Sequence, residues 1–203
     1  MKKIILSGAF GLLVFTASGS VELFSPGTTI PDGSPVGISF SGNVSDLPAG
    51  DTVSGLTVGL NISGGYNGDL YAYLVAPNGT LVMLLNQPGV AINGFGAGGA
   101  GMNVTLQDAF TANGSIQNVT SGAVLSGSYN AAGSLANFNG SSADGTWTLF
   151  FADVSSGGGT STLNGWSLNL TAVPEPVNEA LIVLAVLLAL TMLWQRQKSQ
   201  RLI

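Results

Sequence analysis

The side chains best able to do chemistry in this sequence are its ten acids, because the chain contains no histidine and no cysteine. A Ser-His-Asp triad, a Cys-His pair and a zinc site with histidine ligands are therefore excluded. A Ser-Lys pair is excluded between Ser20 and Trp194, since that range contains no lysine. Paired carboxylates of the glycosidase type stay open as an alternative, but the acids are sparse and mostly lie beside Gly or Ser. The sequence predicts a non-enzymatic protein without catalytic residues.

The charges are unevenly distributed along the chain. The acids fall between Glu22 and Glu179, whereas all five cations lie near the ends, at Lys2, Lys3, Arg196, Lys198 and Arg201. The body between the ends is thus purely anionic. Nucleic-acid binding requires cations that displace phosphate counterions, and binding to anionic lipid uses the same charge. The composition excludes nucleic acid as a partner and disfavours an anionic lipid surface.

A glycine-rich run at 96–101 matches the spacing GxGxxG. A dinucleotide site with that spacing needs a helix directly after it, and no helix pattern follows here. The run predicts a flexible loop, and no cofactor-binding residue is assigned.

Aromatic side chains offer a different chemistry, which is stacking on sugar rings. Trp147 and Trp166 alternate with Thr and Ser, which favours inward-facing core anchors over a sugar-binding face. The exposed candidates for a sugar-binding face are four tyrosines: Tyr66, Tyr71, Tyr73 and Tyr129.

The elements that must position these side chains are strands. Apolar residues alternate with polar ones from Leu56 to Ile62 and from Trp166 to Leu170, which is the period-two pattern of a half-buried strand. The turn 77–80, Pro-Asn-Gly-Thr, joins two strand-like runs and predicts a hairpin. The near-continuous apolar run 146–152 predicts a central strand. We expect an all-β fold, a jelly-roll-like sandwich of about eight strands over residues 20–172.

The first 19 residues have the three parts of a secretory signal peptide. Lys2 and Lys3 are followed by an apolar run at 4–15 and then by the small residues 16–20. We expect signal peptidase to remove residues 1–19.

The last segment, residues 173–203, has the composition of a membrane tail. Pro174, Glu175 and Pro176 are followed by an uncharged stretch at 180–194, which we expect to form a transmembrane helix. The post-helix cations are Arg196, Lys198 and Arg201, and they predict a cytoplasmic C-terminus with the body on the opposite side.

The joint pattern of Pro174-Glu175-Pro176, a short apolar helix and a basic end resembles the PEP-CTERM sorting signal of exported proteins in Gram-negative bacteria. The resemblance implies processing by an exosortase-type membrane enzyme. It also implies an association with exopolysaccharide, and a final location at the cell surface or outside the cell.

The body resembles the P domain, or Homo B domain, of subtilisin-like proprotein convertases. The segments that carry the resemblance follow the family's order: Gly68-Asp69-Leu70, Pro77-Asn78-Gly79-Thr80, Gly145-Thr146-Trp147-Thr148-Leu149, Asp153 and Leu163-Asn164-Gly165-Trp166-Ser167-Leu168. The histidine that family members usually carry before Gly-Asp-Leu is missing.

Some P domains bind Ca²⁺, so the resemblance implies a calcium site at Asp69, Asp144 and Asp153, which lie at strand ends within the matched segments. The alternative is that each aspartate caps its own turn by accepting hydrogen bonds from nearby backbone N–H groups.

Together these patterns predict a structural or interaction module of the envelope or exopolysaccharide matrix. Two alternatives stay open. One is a carbohydrate-binding module that uses Tyr71 and Tyr73. The other is an accessory P domain that acts in trans with a separate protease.

Overall fold

The fold, a computed structural model that describes residues 16–200, is an all-β sandwich followed by one apolar helix. The sandwich is the compact unit Ala17–Glu175. Its strands are β1 Ser18–Phe24, β2 Thr28–Ile30, β3 Ser34–Val44, β4 Asp51–Ser63, β5 Leu70–Val75, β6 Leu81–Asn86, β7 Gly101–Gln107, β8 Leu125–Asn130, β9 Gly145–Asp153 and β10 Ser161–Pro174. The expected all-β sandwich is confirmed.

The helical elements of the sandwich are short. They are the single turn α1 at Val90–Asn93 and three 3₁₀ turns at Asn67–Asp69, Ile116–Asn118 and Leu135–Phe138.

The strands form two sheets. The larger one has six strands in the order β1-β10-β4-β7-β8, with the short β2 also pairing with β10. The smaller one has four strands in the order β3-β9-β5-β6. All pairings are antiparallel except that of β7 with β8, which is parallel.

The described chain has ten strands, whereas the sequence predicts about eight. The short N-terminal strands β1 and β2 both pair with β10. In β1 the apolar residues Val21 and Leu23 face outwards, 64% and 76% exposed, so the apolar side of this strand does not mark its inward face.

The core lies between the sheets and is formed by the inward side of each strand. Two aromatic pairs anchor it. Trp166 stacks on Phe24 with 4.2 Å between ring centroids, and Trp147 meets Phe138 edge to face at 5.2 Å. Both tryptophans are buried, and the indole N–H of Trp147 donates a hydrogen bond to the Ala143 carbonyl at 3.3 Å.

The hairpin and the central strand are found where the sequence predicts them. β5 and β6 pair across the turn 77–80, which is closed by a hydrogen bond of 2.9 Å from the N–H of Ala76 to the carbonyl of Thr80. β9 lies in the middle of the smaller sheet, between β3 and β5. These two elements fix the positions of two aspartates: Asp69 directly precedes β5, and Asp153 is the last residue of β9.

The helix α2 spans Pro176–Gln200 and is longer than the stretch 180–194 that the sequence predicts. Pro176 occupies its first position, where the missing N–H costs nothing. The residues after Trp194 continue the helix because Gln, Arg and Lys are good helix formers. Within residues 16–200, α2 holds the one segment long and apolar enough to cross a membrane, Ala180–Gln200. The predicted signal peptide lies mostly outside the described residues, and its last residues, Ser18 and Gly19, belong to β1.

Candidate functional site

Asp153 is the most unusual polar residue of the sandwich. It ends β9, where its backbone pairs with Leu70 of β5 and with Ser34 of β3. Its side chain is only 1% exposed, and neither carboxylate oxygen has a hydrogen-bond partner. A buried carboxylate without partners is costly, because nothing replaces the water it loses. Such a group needs either a proton or a bound cation.

The surroundings of Asp153 favour the proton. Burial raises the pKa of Asp153 from 3.8 to about 6, and the negative charges of Asp69 and Asp32 add to this effect. The backbone N–H groups of Ser155 and Gly33 lie near the carboxylate without the geometry of a full hydrogen bond, and they lower its pKa only in part. The protonation state of Asp153 therefore changes just below neutral pH.

Asp69 lies beside Asp153 and shares its environment. Its own carbonyl accepts a hydrogen bond of 2.9 Å from the N–H of Val154, which ties it to the end of β9. Burial raises the pKa of Asp69, the Ser155 side chain lowers it, and the charge of Asp32 raises it again. The two predicted aspartates, Asp69 and Asp153, are thus brought together. The neighbouring Asp32 is a third acid that the sequence did not single out.

Asp144 does not belong to this group, so the predicted set of three aspartates is wrong. It precedes β9, whereas Asp153 ends β9. A strand rises about 3.3 Å per residue, so the two side chains stand roughly 30 Å apart. No single ion can bind both.

Carboxylate oxygens, such as those of Asp153, are the ligand type that a hard cation prefers, but few negatively charged ligands lie close together here. Within residues 16–200, no three His, Cys, Asp or Glu side chains lie close enough to hold a metal. An ion here would depend on Asp153, on Asp69 and on neutral oxygens, which Ca²⁺ accepts.

The glycine-rich run 96–101 supports this end of the sandwich structurally. A Cβ on Gly68 would lie 2.7 Å from the nitrogen of Ala97 and 2.8 Å from Cα of Gly96. The N–H of Gly68 donates to the carbonyl of Ala97 at 2.9 Å. Residues 96–100 form a loop before β7, which begins at Gly101, and the glycines of the loop allow it to contact the backbone directly before Asp69.

The four tyrosines proposed for a sugar-binding face occupy different environments. Tyr66 is 44% exposed in the loop before Asp69. Tyr71 and Tyr73 are half-buried and alternate with core residues along β5, so they lie on the outer face of the smaller sheet. Tyr129 is only 8% exposed and belongs to the core, so its predicted exposure is wrong. The inward side of β8 places it there.

The proline-bounded segment lies at the junction of the two units of the chain. β10 ends at Pro174, Glu175 is exposed, and α2 begins at Pro176. In the last turns of α2, the ammonium group of Lys198 lies 5.5 Å from the centre of the Trp194 ring. Arg196 lies in the same segment, whereas Arg201 falls outside the described residues.

Two solved structures are similar in fold. A chain from the complex of the Aeromonas sobria serine protease with a chaperone superposes with a TM-score of 0.50 at 16% identity, covering 82% of this chain and 29% of that one. The structure of the serine protease of Aeromonas sobria superposes with a TM-score of 0.48 at 18% identity, covering 80% of this chain and 28% of that one. This chain therefore spans less than a third of the length of either. No curated protein matches it significantly.

Sequence comparison with protein families is more specific. The family model of the proprotein convertase P-domain, a non-catalytic domain, matches residues 53–170. This range runs from β4 to β10 and includes Asp69, Asp153 and both core tryptophans. Since the match covers more than half of the 203 residues, the chain belongs to the proprotein convertase P-domain family.

Proposed function

We propose that this protein is an exported, non-enzymatic interaction module of the cell envelope or exopolysaccharide matrix, sorted by a PEP-CTERM/exosortase-type tail. The supporting observation is the junction between its two parts. The last strand of a non-catalytic domain ends at Pro174, and a helix of membrane-spanning length begins at Pro176. A binding domain joined in this way to an apolar helix can be held at a membrane surface and later released.

The junction is suited to cleavage by a membrane enzyme. Pro174 and Pro176 keep the segment extended, because each proline fixes φ and restricts the residue before it. Glu175 between them is exposed. A cut after this segment leaves all ten strands in place, since β10 is already complete at Pro174.

Signal-peptide removal is also compatible with the sandwich. Cleavage before Ser20 would remove Ser18 and Gly19, which are the first two of the seven residues of β1 that pair with β10. The remaining five pairs include Phe24 opposite Trp166, which is the pair that contributes to the core.

The test is the mass of the mature protein. The full chain is produced in a Gram-negative host that makes an exosortase and in the same host without that gene. We expect a product from about Ser20 to about Pro176 in the first host, and a membrane-bound product that keeps α2 in the second. An intact α2 in both hosts contradicts the sorting role.

A second candidate is an accessory P domain that acts in trans with a separate protease. Membership of the P-domain family favours it. A tagged full chain would then co-purify with a subtilisin-like catalytic chain from the native host. Co-purification that depends on the sandwich, and not on α2, would favour this candidate over the matrix role.

We also propose that Asp69 and Asp153 bind calcium in this module. The fit rests on the buried carboxylate of Asp153, whose oxygens make no well-formed hydrogen bond to the protein. Asp69 would supply the second negative charge.

Urea unfolding with EDTA and with millimolar Ca²⁺ tests the calcium proposal. A ligand of the folded state stabilises it by about 2.7 kcal/mol at a hundredfold excess over Kd. Asp153→Asn should abolish the effect of Ca²⁺, while Asp144→Asn should leave it unchanged. An unaltered wild-type midpoint refutes calcium binding at physiological concentration.

A further inference from the structure

The outer face of the smaller sheet carries three aromatic side chains in mutual contact, Tyr71, Tyr73 and Phe150, which we call the aromatic stripe. The rings of Tyr73 and Phe150 stack with centroids 4.6 Å apart and planes 13° apart. Tyr71 meets Tyr73 edge to face at 6.2 Å and Phe150 at 6.4 Å. All three are half-buried. The outward side of an antiparallel sheet is usually polar, so a continuous aromatic patch in its centre needs an explanation.

Two rows of the sheet at the stripe contain only uncharged residues. Along one row of the sheet, Ser39 of β3 pairs with Phe150, Phe150 with Tyr73, and Tyr73 with Met83 of β6. The next row has Ser41, Thr148, Val75 and Leu81 in the same order. Hydroxyl groups therefore border the stripe on one side and apolar side chains on the other. No charged residue takes part in either row.

The neighbouring strand β3 holds the stripe in a fixed position. Gly37 of β3 lies under the ring of Phe150, and a Cβ at this position would lie 2.5 Å from its Cζ atom. Gly37 has φ of +58°, a conformation that glycine adopts easily. The irregular start of β3 thus leaves space for the Phe150 ring, and Phe150 in turn supports Tyr73. Rings that are ordered before binding lose little conformational entropy when a ligand arrives.

The exposed aromatic area is too small for a stable protein partner. Each of the three side chains has roughly 150–250 Å² of surface, so three half-buried ones expose roughly 200–400 Å². A stable protein interface needs about 800 Å² from each partner. An area of this size instead suits a few sugar rings, whose C–H faces stack on aromatic rings while their hydroxyls bond to neighbouring Ser and Thr side chains.

We infer that the aromatic stripe is a binding site for a neutral polysaccharide, an inference that rests on the proposed function and names its ligand class. The uncharged rows around the stripe favour a neutral chain over a charged one. An anionic polysaccharide would also meet a body without a single Lys or Arg between Ser20 and Trp194, so it would be repelled.

The experiment measures binding of the full chain in lipid nanodiscs, because glycosidic detergents would compete for a sugar site. Soluble dextran, xylan and a β-1,3-glucan are the neutral probes, and alginate is the anionic one. We expect the protein to bind at least one neutral polysaccharide and not to bind alginate. Tyr73→Ala and Phe150→Ala should each weaken that binding about tenfold or more, whereas Tyr73→Phe, which keeps the ring, should preserve it.

Two further variants separate binding from folding. Ser39→Glu places bulk and charge beside Phe150 at an exposed position, so it should abolish binding without changing the melting midpoint. Phe110→Ala removes a ring that is 94% exposed outside the stripe, so it should leave binding unchanged.

Three outcomes overturn the inference: no retention by any neutral probe, binding that survives Tyr73→Ala and Ser39→Glu, or variants that reduce self-association of the chain instead of sugar binding. Because this assay uses purified protein, its failure leaves the mass test of export and sorting untouched. The failure of that test would likewise leave sugar binding intact.

Discussion

The buried carboxylate of Asp153 should make the stability of the sandwich depend on pH in an unusual direction. Most acids in folded proteins are stabilised in their charged form, so acid unfolds the protein. Asp153 is the reverse case, because burial and the charges of Asp69 and Asp32 raise its pKa from 3.8 to about 6. The folded state therefore binds this proton more tightly than the unfolded chain does.

The size of the effect follows from the two pKa values. Each tenfold difference in proton affinity is worth about 1.4 kcal/mol, so 3.8 against about 6 amounts to roughly 3 kcal/mol. This contribution is fully present below pH 4 and is lost as the pH rises to about 6. Asp153→Asn removes the buried charge. The free energy of unfolding of the variant should equal that of the wild type near pH 4 and exceed it by up to about 3 kcal/mol at pH 7.

Urea is the suitable denaturant, because it leaves the ionic strength unchanged and does not screen the carboxylates. Unfolding of the full chain is followed by the fluorescence of the buried tryptophans between pH 4 and pH 7.5, with EDTA present so that no cation replaces the proton. In the difference between the unfolding free energies of Asp153→Asn and wild type, the contributions of the other acids cancel.

A difference curve that stays flat for Asp153→Asn would refute the argument, since the carboxylate would then be solvated or neutralised at all pH values. A curve of the opposite sign would mean that the charged form makes favourable contacts. Millimolar Ca²⁺ should flatten the wild-type profile only if the ion binds to the deprotonated carboxylate, because metal and proton then compete for the same oxygens.

Three further outcomes are expected. Trp166→Ala should lower the free energy of unfolding by roughly 3–5 kcal/mol, because the ring is only 3% exposed, and a loss below 1 kcal/mol would place it outside the core. Gly37→Ala should lower the free energy of unfolding by about 1–3 kcal/mol or more, because its Cβ would lie 2.3 Å from the carbonyl oxygen of Phe151. Gly79→Ala, at φ of +86° in open space, should lower it only by the backbone strain of about 1 kcal/mol. Residues 17–175 produced alone should unfold in one cooperative urea transition and show a β-type far-UV circular dichroism spectrum; a helical spectrum or a gradual transition would argue against an independent domain.

The strands that the sequence predicts well are those with one face in the core. β4 and β10 alternate apolar and polar residues over most of their length, and they pair with each other in the larger sheet. The Asn-Gly turn at 78–79 determines the hairpin locally. These features depend on neighbouring residues, so one sequence is enough to identify them.

The features that the sequence does not predict depend on distant pairing. Phe150 lies in a near-continuous apolar run, which is typical of a strand buried on both faces, so nothing marks it as outward-facing. Asp32 reaches the Asp153 region only because β2 and β3 pair with different sheets. The separation of Asp144 from Asp153 can be predicted from the sequence, since the predicted central strand lies between them over its full length.

The position of β10 determines when the sandwich can fold during synthesis. It is the last strand in the chain, yet it lies between β1 and β4 and also pairs with β2. Ser18 finds its partner in Ala172 about 150 residues later, so the larger sheet stays incomplete until nearly the whole domain has left the ribosome. A chain with this order stays unfolded for longer, which is compatible with the proposed export through a narrow secretion channel. During such an export β4 would lack its main partner, so a chaperone that covers an unpaired strand would protect it from aggregation.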